Sequence, residues 1–328
     1  MRACGGLLGW SLALGASLSA CERCRPAGEA PVPAQADQAV GPAGIAPSAH
    51  PLLWRVTPPG EGKPAYLYGT IHLPHDRILA LPPEVERAIA ASDALYTEVP
   101  MDPGMQLRMA PMIMLPEGKN LKQILPEELY KRLEALFASK GLPFATLARL
   151  KPWAVATQVA LLDHLFEFAL KQPLDVKLYL EAQAAGKQVG GLETLEEQVA
   201  VFDALSLEEQ VRMLRQTLDL LDEHKQKGRD AVMELMEAYL SGDEQKLLAA
   251  VLESYDPDDP LDRKVMQRLL GDRNRLMAER IDARLKEDPG KTFFFAVGAA
   301  HMLRDDGIGR LLEARGHRLE RLGAPIAE

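Results

Sequence analysis

Cysteine is nearly missing from this chain: Cys4, Cys21 and Cys24 are its three, and all lie before residue 25. None can staple the body of the protein. Positive charge is also in deficit, since 38 Lys and Arg against 47 Asp and Glu leave a formal net charge of -9. Such a surface repels phosphate backbones, so nucleic acid is not expected as a partner. The motifs HExxH, G-x-S-x-G and GxxxxGK[ST] are absent, which argues against a gluzincin, an α/β-hydrolase serine enzyme and a P-loop ATPase. What is present is ordinary for a folded protein: 328 residues, 47% hydrophobic and 26% charged. That composition excludes a wholly disordered chain and a multi-span membrane protein. The length allows one large domain or two small ones.

The first twenty residues carry one charge, Arg2, followed by an apolar run from Gly5 to Ala20. The run is shorter than the ~20 residues a membrane-spanning helix needs. A charged start, an apolar middle and a small-residue end describe a secretory signal. Leu18-Ser19-Ala20-Cys21 resembles the bacterial lipobox, where cleavage leaves an N-terminal cysteine that is then acylated. Residues 1–20 are therefore expected to be a lipoprotein signal peptide. Cys21 is the expected lipidation site, and several acyl chains on it would anchor the protein. Glu22, rather than Asp, follows it, which points to the outer membrane of a Gram-negative envelope, facing the periplasm or the exterior. Residues 21–51 are rich in Pro, Ala and Gly, almost lack large apolar residues and read as a flexible tether.

The folded domain is expected over 52–328, opening with a strand at Ala65-Tyr66-Leu67-Tyr68 that runs into Gly69-Thr70-Ile71-His72. Pro82-Pro83 starts a helix, with Val85, Ala88 and Ile89 as its buried stripe. A strand from Ala94 to Val99 carries Glu98. Near the C-terminus the plan recurs: a strand at Phe293 to Val297, then Gly298-Ala299-Ala300-His301, a helix with Ile308, Leu311 and Leu312, and a strand from His317 to Leu322. Both ends read β–GxxH–α–β, an internal repeat. Aligning the two helices without gaps sets Arg321 opposite Glu98, so the second copy lacks the acid. A third unit has a helix over Leu174 to Ala185, a strand over Gln188 to Leu192, Glu193 at its end, and capping-box spacing at Thr194 and Glu197. Most of 103–165 and 196–288 reads as helix. The expected fold is α/β: a sheet built from the two repeats and the third strand unit, flanked by helices, with a large helical insert.

Ligands of α/β sheets bind outside the carboxyl ends of the strands. His72, Glu193 and His301 each follow a strand, and Glu98 sits near the end of its own, so parallel strands would bring all four to one edge. Two imidazoles and a carboxylate are a divalent-metal ligand set with open positions. The glycine three residues before each histidine permits a sharp turn after the strand. GxxH has only two fixed letters, and a strand-end histidine can equally be a hydrogen-bonded structural residue. Elsewhere, His75 reads as a loop side chain and His164, His224 and His317 as surface or packing residues. Trp153 reads as a core anchor. Asp256, Asp258, Asp259 and Asp262 read as a solvated turn without the glycine and terminal glutamate of an EF-hand.

Tyr68-Gly69-Thr70-Ile71-His72-Leu73-Pro74, Leu81-Pro82 and Asp93-Ala94-Leu95-Tyr96-Thr97-Glu98 resemble the opening of the TraB/GumN (TraB/PrgY/GumN) family, which includes the Tiki metalloproteases. Lys151-Pro152-Trp153, Gly191-Leu192-Glu193-Thr194-Leu195-Glu196-Glu197-Gln198, Arg273-Asn274 and Ala296-Val297-Gly298-Ala299-Ala300-His301-Met302 are similar to its later blocks. The resemblance covers 52–325, in order, and Met302 stands where the family usually has Leu. It implies an α/β fold related to erythromycin esterases and the haem-binding ChaN proteins. It also implies metal-dependent peptidase chemistry, with manganese or cobalt favoured and zinc as an alternative. Matched by motif, His72, Glu98 and His301 would be the metal ligands, and Glu98, Glu193 and Arg273 the catalytic or supporting polar residues. An arginine there could stabilise an oxyanion. Two functions follow as expectations. One is a membrane-anchored, metal-dependent hydrolase acting on peptides or small molecules. The other is a non-catalytic protein that sequesters a peptide signal, small molecule or haem.

Overall fold

The computed structural model describes residues 48, 50–165 and 170–323. The signal peptide, Cys21 and most of the tether lie outside the described residues. Six strands form one sheet in the order β4-β3-β5-β2-β1-β6: β1 Leu53–Thr57, β2 Ala65–Thr70, β3 Ala94–Thr97, β4 Gln188–Gly191, β5 Phe293–Gly298 and β6 Arg318–Leu322. β2 and β3 both pair with β5 in parallel, and β3 pairs with β4 in parallel. The carboxyl ends of these four strands therefore share one edge.

β1 runs antiparallel between β2 and β6. It is an addition to the sequence reading, in which the first strand of the 52–328 domain is the one at Ala65. Only Leu53 and Val56 of this five-residue strand are fully buried, too sparse a pattern to register as alternation between the prolines on either side. Because β5, β2 and β1 intervene, the last strand β6 lies at the far edge from β3 and β4. Arg321, opposite Glu98 in the gapless alignment, there donates to Glu244 Oε1 at 2.7 Å and to the Gly242 carbonyl at 2.6 Å, and reaches no carboxyl-end residue of β3.

β5 is an unbroken apolar run because it is central and covered on both faces. Phe294 and Ala296 face one helical layer, with Val85, Ala88, Leu178, Leu235 and Tyr239. Phe293, Phe295 and Val297 face the other, with Met277, Ile281, Leu285, Ile308 and Leu312. A third apolar cluster belongs to the helical insert, where Trp153 is fully buried and stacks on Phe202 at 5.2 Å. Truncating a ring such as Phe202 would cost about 3–5 kcal/mol.

Local signals act where the sequence places them. Thr194 and Glu197 close a capping box on the helix Leu195–Asp203. Gly186 takes φ of +75° just past the helix Leu174–Ala184. His75 caps the four-residue helix Asp76–Leu79. The acidic turn is less solvated than the sequence reading has it: Asp262 is buried and accepts from the Asp256 N–H at 3.0 Å. No helix among the described residues is long and apolar enough to cross a membrane.

Candidate functional site

The strand ends deliver four side chains to one point beyond the sheet. His72 follows β2 by two residues, Glu98 directly follows β3, Glu193 follows β4 by two, and His301 follows β5 by three. The edges are locked together by backbone bonds, Leu192 N–H to the Thr97 carbonyl at 2.9 Å and Glu193 N–H to the Glu98 carbonyl at 2.6 Å. Arg273 enters from the helix Arg273–Glu287. All five side chains belong to residues no more than 4% exposed. Arg273 is thus a buried cation.

Glu98 is the hub. Its Oε1 accepts the Gly298 N–H at 2.6 Å, and its Oε2 accepts from Arg273 Nη2 at 2.6 Å and Gln198 Nε2 at 3.3 Å. The same Oε1 lies 3.9 Å from His72 Nε2 and 3.7 Å from His301 Nε2. Arg273 also donates through Nε and Nη2 to both oxygens of Glu193, at 2.6 to 3.0 Å.

Each imidazole has its second nitrogen engaged. His72 Nδ1 meets Asp175 Oδ2 at 2.5 Å, and the other oxygen of Asp175 accepts from Thr70 Oγ1 at 2.6 Å. His301 Nδ1 meets Asn274 Oδ1 at 2.5 Å. Asp175 has no proposed role in the sequence reading. Asn274 and Gln198 lie inside quoted blocks without one.

Burial would lower the His72 pKa, but the Asp175 and Glu98 carboxylates overcome it and raise it to about 9. His301 has an amide as its Nδ1 partner, and burial drives it down to about 3, so it is neutral and makes no ion pair with Glu98 at neutral pH. Burial would raise Glu98, yet Arg273 and the two imidazoles hold it at about 2. Glu193 moves up, because burial outweighs the guanidinium beside it.

The backbone before Arg273 is unusual. Gln267–Asp272 is a π-helical turn, a local widening that often marks functional sites. Both Arg273 and Asn274 are buried on the site side of the helix that follows.

Among the described residues, no three or more His, Cys, Asp or Glu side chains form a ready cage for a metal ion. The donor chemistry fits one all the same. Two imidazole nitrogens face one carboxylate oxygen, and tetrahedral ligands at ~2.1 Å stand roughly 3.4 Å apart. The observed 3.7 and 3.9 Å need a contraction of a few tenths of an ångström. The space is kept by a glycine: a Cβ on Gly298 would stand 2.9 Å from Glu98 Oε1, 3.7 Å from His301 Cδ2 and 3.8 Å from His72 Nε2. Gly298→Ala should therefore push Glu98 off its bonds, costing about 1–3 kcal/mol of stability in chemical denaturation and weakening metal uptake. A variant with wild-type stability and wild-type uptake would show that the space is not used.

The remaining candidates lie elsewhere. His164 and His224 border a cleft of about 240 Å3 with Leu221 and Val232, and none of the five site residues lines it. His317 is buried against Asp282 at 2.9 Å.

The sequence profile of the TraB/PrgY/gumN family matches residues 52–321. Among curated proteins, the chain is 29% identical over 320 residues to metalloprotease TIKI2 of Danio rerio, covering 82% of this chain and 60% of the relative. It is 30% identical over 312 residues to metalloprotease TIKI1 of Danio rerio, covering 82% and 62%. An uncharacterized protein of Treponema pallidum is 24% identical over 277 residues, covering 80% of each chain. The match spans about 60% of the length of the TIKI relatives. No solved structure gives a significant match.

Proposed function

This chain belongs to the TraB/PrgY/gumN family, and from that premise we propose that it is a metal-dependent hydrolase acting on peptides, with His72, Glu98 and His301 as the metal ligands. The observation that carries the reading is the charge balance of the buried cluster. Glu98 and Glu193 share one guanidinium, Arg273, and Asp175 adds a third carboxylate on His72, all of them buried. With neutral imidazoles, two negative charges stand uncompensated, which is costly in a buried place. A proton on His72 offsets half of that, in line with a pKa of about 9. A divalent cation offsets all of it. The donor set suits manganese, cobalt or zinc. The metalloprotease names of the TIKI relatives point the same way.

A bound metal would supply an activated water and polarise a carbonyl. The protein's own groups prepare for that. Glu98 stays ionised, with its two oxygens fixed by the Gly298 N–H and by Arg273. His301 stays neutral, as a ligand must. Glu193, raised by burial, is the carboxylate suited to hold and pass a proton at Oε1 or Oε2. Arg273 spends its Nε and Nη2 donors on the two glutamates and an Nη1 donor on the Leu269 carbonyl at 3.4 Å. That arrangement favours holding the carboxylates in place over binding an oxyanion. The two GxxH segments are read as copies of one plan, each placing an imidazole beyond a strand end.

The test is a peptide library incubated with the metal-loaded protein, the chelated protein, and the His72→Ala and His301→Ala variants. Cleavage products are expected from the loaded wild type alone. Loss of free peptide without products would favour sequestration instead. The same reading places the domain on a bacterial envelope membrane through an acylated Cys21, supported by Leu18-Ser19-Ala20-Cys21. The mass of the mature N-terminus tests that placement: an unmodified terminus would end it.

A further inference from the structure

Two buried side chains beyond the ligand set each hold one of the imidazoles, and they differ in chemistry. Asp175 stands in the first turn of the helix Leu174–Ala184, 103 residues from His72. Its two oxygens divide between Thr70 and His72 of the same Gly69-Thr70-Ile71-His72 segment, at 2.6 and 2.5 Å. One carboxylate thus clamps both the hydroxyl at the end of β2 and the ring two residues on. A carboxylate only accepts, so Nδ1 of His72 must carry hydrogen and the lone pair of the neutral ring sits on Nε2.

Asn274 does the same for His301 without charge. Its Nδ2 donates to the Asp306 carbonyl at 2.8 Å, which fixes the amide's orientation and turns Oδ1 toward the ring. Oδ1 accepts from His301 Nδ1 at 2.5 Å. The amide therefore also selects the tautomer with its lone pair on Nε2. Asp175 is 1% exposed and Asn274 is 0% exposed, so bulk water does not compete for either bond.

We propose that Asp175 and Asn274 are the positioning residues of the centre, holding His72 and His301 in the tautomer and rotation that present both Nε2 atoms to Glu98 Oε1. The charged partner makes His72 the more basic ring, and the neutral partner leaves His301 the weaker donor. Outer partners of this kind orient metal-binding histidines and are worth roughly 10–100-fold in affinity. The proposal rests on the metal-centre reading for what the two nitrogens hold, and on geometry alone for which way they face.

The experiment has two arms on the full chain. In the metal-free wild type labelled with 15N-histidine, long-range 1H–15N correlations read the tautomers directly. His301 is expected as the neutral Nδ1–H form with Nε2 bare, and an Nε2–H form of that ring would overturn the proposal. In the second arm, Mn2+ and Co2+ are titrated into wild type, Asp175→Asn and Asp175→Glu. Asp175→Asn is expected to bind roughly 10–100-fold more weakly with its thermal midpoint within a few degrees of wild type, and Asp175→Glu to recover part of the loss. Equal affinity in wild type and Asp175→Asn would overturn it. If the wild type takes up no metal, the functional reading fails by itself, and the tautomer arm still decides this one. That arm also decides if Asp175→Asn does not fold.

Discussion

Arg273→Ala should lower the free energy of unfolding by about 3–5 kcal/mol, the range for removing one partner from a buried ion pair. The side chain gives hydrogen bonds to Glu98 and Glu193 and is itself only 4% exposed. Its loss strands two carboxylates in a place almost closed to water. A domain has a total stability of only about 5–15 kcal/mol, so the variant would lose a large share of it. The thermal midpoint should fall by on the order of 10 °C. Adding Glu193→Gln to Arg273→Ala should recover part of the loss, because one stranded charge goes with it. Denaturant unfolding of the three proteins is the check. A single variant within 1 kcal/mol of wild type would mean that the cluster is open to solvent or differently charged.

The second large effect is the dependence of stability on pH in chelated protein. His72 is raised to about 9 from the ordinary 6.5. Its contribution is fully present below pH 6.5 and is lost as pH rises toward 9, about 3 kcal/mol in all. His301 is lowered to about 3, so its neutral burial favours the fold above pH 6.5 and ceases to do so as pH falls toward 3. Glu98, held at about 2, adds to the acid loss as pH falls below 4.5. The three together predict a maximum near pH 6.5 with both limbs falling. His72→Gln should flatten the alkaline limb between pH 6.5 and 9 and leave the acid limb. An alkaline limb of the same slope in wild type and variant would remove His72 as its source.

Much of this arrangement is written locally in the chain. The run Phe293 to Val297 is legible as a strand because a central strand is apolar on both sides. Thr194 with Glu197 spell a helix start that forms as read. The glycines of GxxH are needed for a reason other than the expected sharp turn: Gly69 lies inside β2 and Gly298 ends β5, both without a positive φ, and each leaves room for a close neighbour where a Cβ would crowd it. Once those strands lie parallel, the meeting of His72, Glu98, Glu193 and His301 follows from strand ends alone. What could not be read is long-range. Asp175 sits in the first turn of a helix like many acidic residues, and nothing in its neighbourhood points 103 residues back to His72. Asn274 lies beside Arg273, but an unbroken α-helix gives no sign that both turn inward. The π-helical turn at Gln267–Asp272 breaks that regularity, and it has no simple residue signature. β1 is hidden for another reason: it pairs with the next strand, β2, on one edge and with the distant β6 on the other, and only two of its own five residues are fully buried.

The central claim is that two imidazoles from opposite ends of the chain and the glutamate between them bind one divalent ion. Calorimetric titration of Mn2+ or Co2+ into the chelated full chain, repeated on His72→Ala and His301→Ala, addresses it most directly. The account predicts one saturable ion per chain in the wild type and no saturable binding in either variant. No saturable binding in the folded wild type, or undiminished binding in both variants, would contradict it.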